Sequence, residues 1–183
     1  MNREEALALV RENVDKINLI KHMFAVEAIM KETAKNLNED QEKWALVGLI
    51  HDIDFGKTEN DPKNHSLLAE EILDGKVDEE IIRAIKSHNF ENTNVMPESN
   101  MEKILIAADA VSGLIIAAAL IMPSKKLADV KVESISSKFK KKDFARNCSR
   151  ENILFCEQIG ITKEKFFEIS LKALQGISDD LGL

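Results

Sequence analysis

The chain has 183 residues, 44% hydrophobic and 31% charged, which suits one domain with a sizeable core and excludes disorder as the default. Its formal charge of -7 argues against binding nucleic-acid polymers, which calls for a net basic face, so a small anionic ligand would need cations gathered locally. Cys148 and Cys156 form no CxxC pair and no disulfide framework, which fits a reducing compartment; with no readable signal peptide, a cytoplasmic protein is expected.

Only 7 Gly and 3 Pro punctuate the chain, so long helices are expected between few turns. Residues 3–15 carry Ala6, Leu7, Val10 and Val14 at helical spacing. Residues 18–37 carry one stripe of Ile20, Phe24 and Ala28 and a second of His22, Val26, Ile29 and Thr33, which sets His22 beside the apolar face. Asn38, with Gln41 three residues on, reads as the cap of a helix that ends at His51. The segment 52–63 holds Gly56, Asn60, Asp61 and Pro62 and reads as a functional loop.

Asn64 reads as the cap of a helix running to Leu73, with His65 in its first turn. Asp78 caps the next, which ends near His88. After the loop NFENTNVMPE, Ser99 and Glu102 form a capping box for a long apolar helix. Its stretch from Ile104 to Met122 approaches bilayer length, about 20 residues, yet Asp109 lies near the middle. A carboxylate at bilayer depth costs a few kcal/mol, so a buried central helix is expected and no membrane span. Beyond Pro123 come Lys125, Lys126, a polar stretch, and amphipathic helices from about Ser149 and Thr162. The run SKFKKKDFAR reads as a solvated segment, and the last two helices as core or homodimer surface. No segment alternates with period two, so the expected fold is all-α: one domain over 1–183, with a C-terminal helical subregion over about 124–183.

All four histidines, His22, His51, His65 and His88, fall on or at the ends of these helices, and Asp52 follows His51 directly. Divalent metals accept imidazole and carboxylate together, and helices packed in a bundle can bring such ligands to one centre. Each residue also has a plainer reading. His51 and His88 could cap helix carbonyls, and His22 could be a core histidine. Asp109, among Ile, Leu and Ala, needs a partner of some kind.

This order of residues resembles the HD superfamily of metal-dependent phosphohydrolases: a helical histidine (His22 in IKHMFAVEAIM), a His-Asp doublet at a helix end (His51 and Asp52 in GLIHDID) and a later helical aspartate (Asp109 in ILIAADAVSGL). His65 in KNHSLLAEEIL and His88 in IIRAIKSHN match the extra ligands of the binuclear subset. The resemblance spans about residues 18–115. It departs from many relatives after the doublet, where this chain reads Ile53-Asp54-Phe55-Gly56-Lys57 in place of HDIGK; the GYP motif of cyclic di-GMP hydrolases is also missing.

The resemblance implies one or two divalent ions (Fe, Mn, Zn, Co or Ni). One would be held by His22, His51, Asp52 and Asp109, and the other by Asp52, His65 and His88, around a metal-activated water. Asp52 would be both ligand and catalytic group. Asp54 would either orient that water or cap the loop, and Lys57, Lys125 and Lys126 would be phosphate contacts or solvated lysines. The expected activity is hydrolysis of a phosphomonoester or phosphoanhydride of a nucleotide-like metabolite. Two rival expectations are a di-iron oxygenase of the HD group and a non-catalytic metal- or nucleotide-binding module.

Overall fold

In a computed structural model covering residues 1–183, the chain is 69% helical and contains no strand. Helices α1 (Arg3–Asn13), α2 (Ile17–Leu37) and α3 (Gln41–Ile50) lead to the His-Asp doublet. The short α4 (Phe55–Thr58) sits inside the following loop, which ends at α5 (Leu67–Leu73). Then come α6 (Glu79–His88), the short α7 (Phe90–Thr93) and the long α8 (Asn100–Leu120). A 3-10 turn (Leu127–Asp129), α9 (Val132–Phe139), α10 (Arg150–Ile153), a second 3-10 segment (Leu154–Ile159), α11 (Lys163–Gln175) and α12 (Ser178–Leu181) complete the chain.

The capping expectations meet mixed outcomes. At α8, the Ser99 side chain accepts from Glu102 N while the Glu102 carboxylate accepts from Ser99 N, a complete capping box. At α3 the cap is Asp40, whose side chain accepts from Glu42 N and Lys43 N. Asn38 instead closes α2 in a left-handed conformation, φ 57°. Asparagine tolerates that region unusually well, so the side chain that looked like a start is a stop. Asn64 does not cap α5 either: that helix begins at Leu67, behind Ser66, and His65 lies in the turn before it.

Helix α2 packs most extensively on α3, and also against α8 and α11. Gly48 makes the first contact close: a Cβ there would lie 2.8 Å from the backbone N and Cα of Glu27. A single cluster of buried apolar residues runs from Ala6 to Leu181, so the C-terminal helices share a core with residues 18–115. Within it α8 is central. Although long and apolar enough to cross a membrane, it is largely buried inside the fold, with Leu105, Val111 and Leu114 among its buried side chains, and this accounts for its hydropathy.

Arg150 organises the basic run beside this core. Its guanidinium donates to the carbonyls of Lys138, Phe139, Lys141, Phe144, Ala145 and Cys148, a use of the forked group that lysine cannot match. Phe139 packs on Phe167, with ring centroids 5.6 Å apart, while Lys140, Lys141 and Lys142 stay exposed. The run is therefore a solvated face with aromatic anchors turned inward.

Candidate metal centre

The end of α3 delivers the doublet. His51 is the C-cap and is fully buried, and Asp52 is the next residue in the turn. α2 contributes His22, the turn before α5 contributes His65, the last turn of α6 contributes His88, and the middle of α8 contributes Asp109. These six side chains converge. His22 Nε2 lies 3.1 Å from Asp109 Oδ1 and 3.6 Å from Asp52 Oδ2, and His51 Nε2 lies 3.5 Å from the same Asp52 oxygen. On the other side, His65 Nε2 and His88 Nε2 lie 3.4 and 3.5 Å from Asp52 Oδ1. The Asp52 carboxylate thus divides the histidines into two pairs, one per oxygen.

Each ring is anchored through Nδ1 and turns Nε2 toward the centre, where the Nε2 atoms of His65 and His88 lie 3.0 Å apart, within hydrogen-bond distance. His51 Nδ1 donates to Gly48 O at 2.9 Å, and His88 Nδ1 donates to Ile85 O. Ser112 Oγ gives its hydrogen to Asp109 O, so it accepts from His22 Nδ1 at 3.3 Å. His65 Nδ1 donates to Asp54 Oδ1 at 2.9 Å. A metal-binding imidazole commonly donates its other ring N–H in this way, to a carbonyl, carboxylate or hydroxyl that fixes its tautomer and orientation.

Whether these residues fit a metal can be judged from His51. Its Nε2 is buried and has no hydrogen-bond partner, which costs about 1–3 kcal/mol if nothing occupies the position. The helix-cap reading explains Nδ1 and leaves Nε2 unexplained. A divalent cation accounts for it, and the donor set of imidazoles and carboxylates, with ligand atoms within 4.8 Å of one another in two groups sharing Asp52, suits such a cation.

The electrostatics of the site follow from crowding four imidazoles around two carboxylates. Burial pushes the His51 ring down to about 4, helped by the neighbouring His88 and His22 and opposed by Asp52. Burial also disfavours charge on His22 and His88. For His22 the hydrogen bond and charge of Asp109 win, and for His88 those of Asp52, so both end above the ordinary value of 6.5. Burial pushes the two carboxyls up, but His51 and His88 around Asp52, and His22 beside Asp109, hold both below the usual range.

Opposite pH effects follow. The His51 contribution to stability is complete above its ordinary value near 6.5 and is lost as the pH falls toward 4. Those of His22 and His88 are complete below 6.5 and lost as the pH rises through their raised values. Metal uptake must displace the protons on His22 and His88, so affinity rises with pH across the neutral range. Calorimetric titration at pH 7 in buffers of different ionisation heats is expected to show proton release; equal heats in all buffers would refute this.

The centre opens into a cleft of about 380 Å³ lined by His22, Asp52, His65, His88 and Asp109 with Leu19, Phe55 and Asn89. Although α8 is largely buried, the Asp109 side chain is 38% exposed and faces this cleft. No lysine or arginine lines the cleft. Lys57 donates to Asn13 Oδ1 at 2.8 Å, and Lys125 and Lys126 are exposed elsewhere on the surface, so their placement gives no support to the reading as phosphate contacts. Asp54 is fully buried, with its oxygens turned to His65 and to the backbone of Ser66 and Ala69, so it does not reach a water in the cleft. Larger grooves exist, such as the one of about 700 Å³ lined by residues of α1, α2 and α11, but there Arg3 is paired with Glu27 and Lys172 with Glu32, and no group of metal-ligating side chains is present.

Residues 19–114, more than half of the chain, match the HD domain family, and the protein belongs to that family. HD domains are generally metal-dependent hydrolases that bind divalent metals, and the His/Asp clusters fit this. No curated protein and no solved structure matched the chain.

Proposed function

We propose that the protein is a metal-dependent phosphohydrolase acting on a small nucleotide-like phosphomonoester or phosphoanhydride. The observation that carries this reading is the Asp52 carboxylate, with one oxygen toward His22 and His51 and the other toward His65 and His88. His22, His51, Asp52 and Asp109 would hold one ion, and Asp52, His65 and His88 a second. When bound, such ions acidify a water to act as nucleophile near neutral pH and offset charge on the phosphoryl oxygens.

The chain's own residues do the rest. Nδ1 anchoring keeps four imidazoles oriented before any substrate arrives, which removes a reorganisation cost. Leu19 and Phe55 give the cleft an apolar wall, suited to a sugar or base face, and exclude water there. With no cation in the lining, substrate charge would be met at the metal positions alone, which favours substrates carrying few phosphates.

The same absence supports a second reading, in which an uncharged substrate meets dioxygen at the centre, as in di-iron oxygenases of the HD group. One experiment separates the two. Purified protein is stripped with chelator, reloaded with manganese, iron or cobalt, and assayed for phosphate release over nucleotides, dinucleoside polyphosphates and sugar phosphates, with oxygen uptake followed in parallel. Metal-dependent phosphate release is expected. Oxygen consumption without phosphate release would replace the hydrolase reading, and tight nucleotide binding without turnover would favour a binding module.

A further inference from the structure

Asp54 is an acidic side chain beside the centre that offers no oxygen to it. Oδ1 accepts from His65 Nδ1 at 2.9 Å, and Oδ2 accepts from Ser66 N at 2.8 Å and Ala69 N at 3.2 Å. Its three partners lie on the far side of the loop that begins at the doublet, so one buried carboxylate ties both ends of that loop together.

His65 needs this support more than the other histidines do. His51 and His88 anchor on carbonyls three residues back in their own helices, and His22 anchors on a serine of α8. His65 has no helix beneath it. The residue after it, Ser66, is buried in a left-handed conformation (φ 70°, ψ -22°), which is strained for a non-glycine residue and persists only when its surroundings fix it. Asp54 accepts the N–H of that strained residue and the Nδ1–H of the ring before it.

We propose that Asp54 is a positioning residue for the second metal position, holding His65 in its Nδ1–H form so that the Nε2 lone pair faces Asp52 and His88. This rests on the paired-ion reading above. The carboxylate is required because all three groups around it are donors. In Asp54→Asn, an amide oxygen kept on Ser66 N and Ala69 N turns the amide NH2 toward His65 Nδ1, and the ring proton must move to Nε2, where it blocks a metal. Flipping the amide instead sets its NH2 against two backbone donors.

Nitrogen NMR of the histidine rings, recorded on metal-free wild-type and Asp54→Asn protein with His65 assigned by His65→Gln, tests this before any ion is added. The expected result is His65 as Nδ1–H in wild type and Nε2–H in the variant. Metal titration should then show the second ion weakened by about 10–100-fold and the first unchanged. A purely structural role for Asp54 would weaken both ions together and leave the tautomer as it was. The proposal is overturned if wild-type His65 carries its proton on Nε2, a result that decides even should the variant fail to fold, or if the variant binds both ions with wild-type affinity. A wild-type protein that takes up one ion only would sink the paired-ion reading, while the ring spectra still judge Asp54.

Discussion

Asp52→Ala is expected to lose metal at both positions and to lower metal-dependent hydrolysis by about 1,000-fold or more. The size follows from the several kcal/mol that metal ions contribute to such reactions, each 1.4 kcal/mol being about tenfold in rate. Asp52 alone is shared: its Oδ2 faces His22 and His51, and its Oδ1 faces His65 and His88. His88→Ala takes a ligand from one side only and should retain about one ion. Metal content by mass spectrometry after gel filtration checks both, with circular dichroism showing that the helices persist. Equal metal content in Asp52→Ala and wild type would mean that the carboxylate does not join the two positions.

Gly48→Ala is expected to cost about 3 kcal/mol or more, lowering Tm by roughly 6–12 °C for a chain of this size. The new Cβ would sit 2.8 Å from the Glu27 backbone and 2.9 Å from the Val26 carbonyl carbon, and backbone atoms cannot rotate away as a side chain can. The damage should reach the centre as well. α2 carries His22, and Gly48 O is the acceptor that orients His51, so metal affinity should fall even where the variant remains folded. Gly113→Ala makes a useful contrast: its Cβ would meet Cys148 Sγ at 2.8 Å, the end of a side chain that can turn aside, and a loss nearer 1 kcal/mol is expected. A Gly48→Ala protein with wild-type Tm would show that the two helices are not in close contact there.

Much of the helical frame was legible because its signals are local. The apolar periods of α1 and α2 and the Ser99–Glu102 box need no knowledge of the rest of the chain. The misplaced caps show where local signals compete. Asn38 suits both a helix start and a left-handed stop, and the presence of Asp40 two residues later decides between them. The turn at His65 was not legible at all, because a left-handed serine held by the buried Asp54 is a tertiary arrangement with no signature in neighbouring residues. The short helices α4 and α7 fall in segments whose sequence reads as loop, for a related reason: four residues are too few to display a period.

The candidate site was legible as a set and in its order along the chain, through a family resemblance, while its geometry was not. Spacing along the chain does not show that all four Nδ1 atoms are anchored within the fold, or that His51 Nε2 is left without a partner. Nor does it show that the lysines near the doublet point elsewhere. Lys57 belongs to Asn13, and Lys16 pairs with Glu59 on the exposed side of the same loop.

The shared Asp52 carboxylate is tested most directly by anomalous diffraction from crystals of the protein grown with manganese. Two peaks are expected, one beside His22, His51 and Asp109 and one beside His65 and His88, each at coordination distance, about 2.0–2.3 Å, from a different oxygen of Asp52. A peak that touches neither Asp52 oxygen, or no peak at all from fully loaded protein, would rule the centre out.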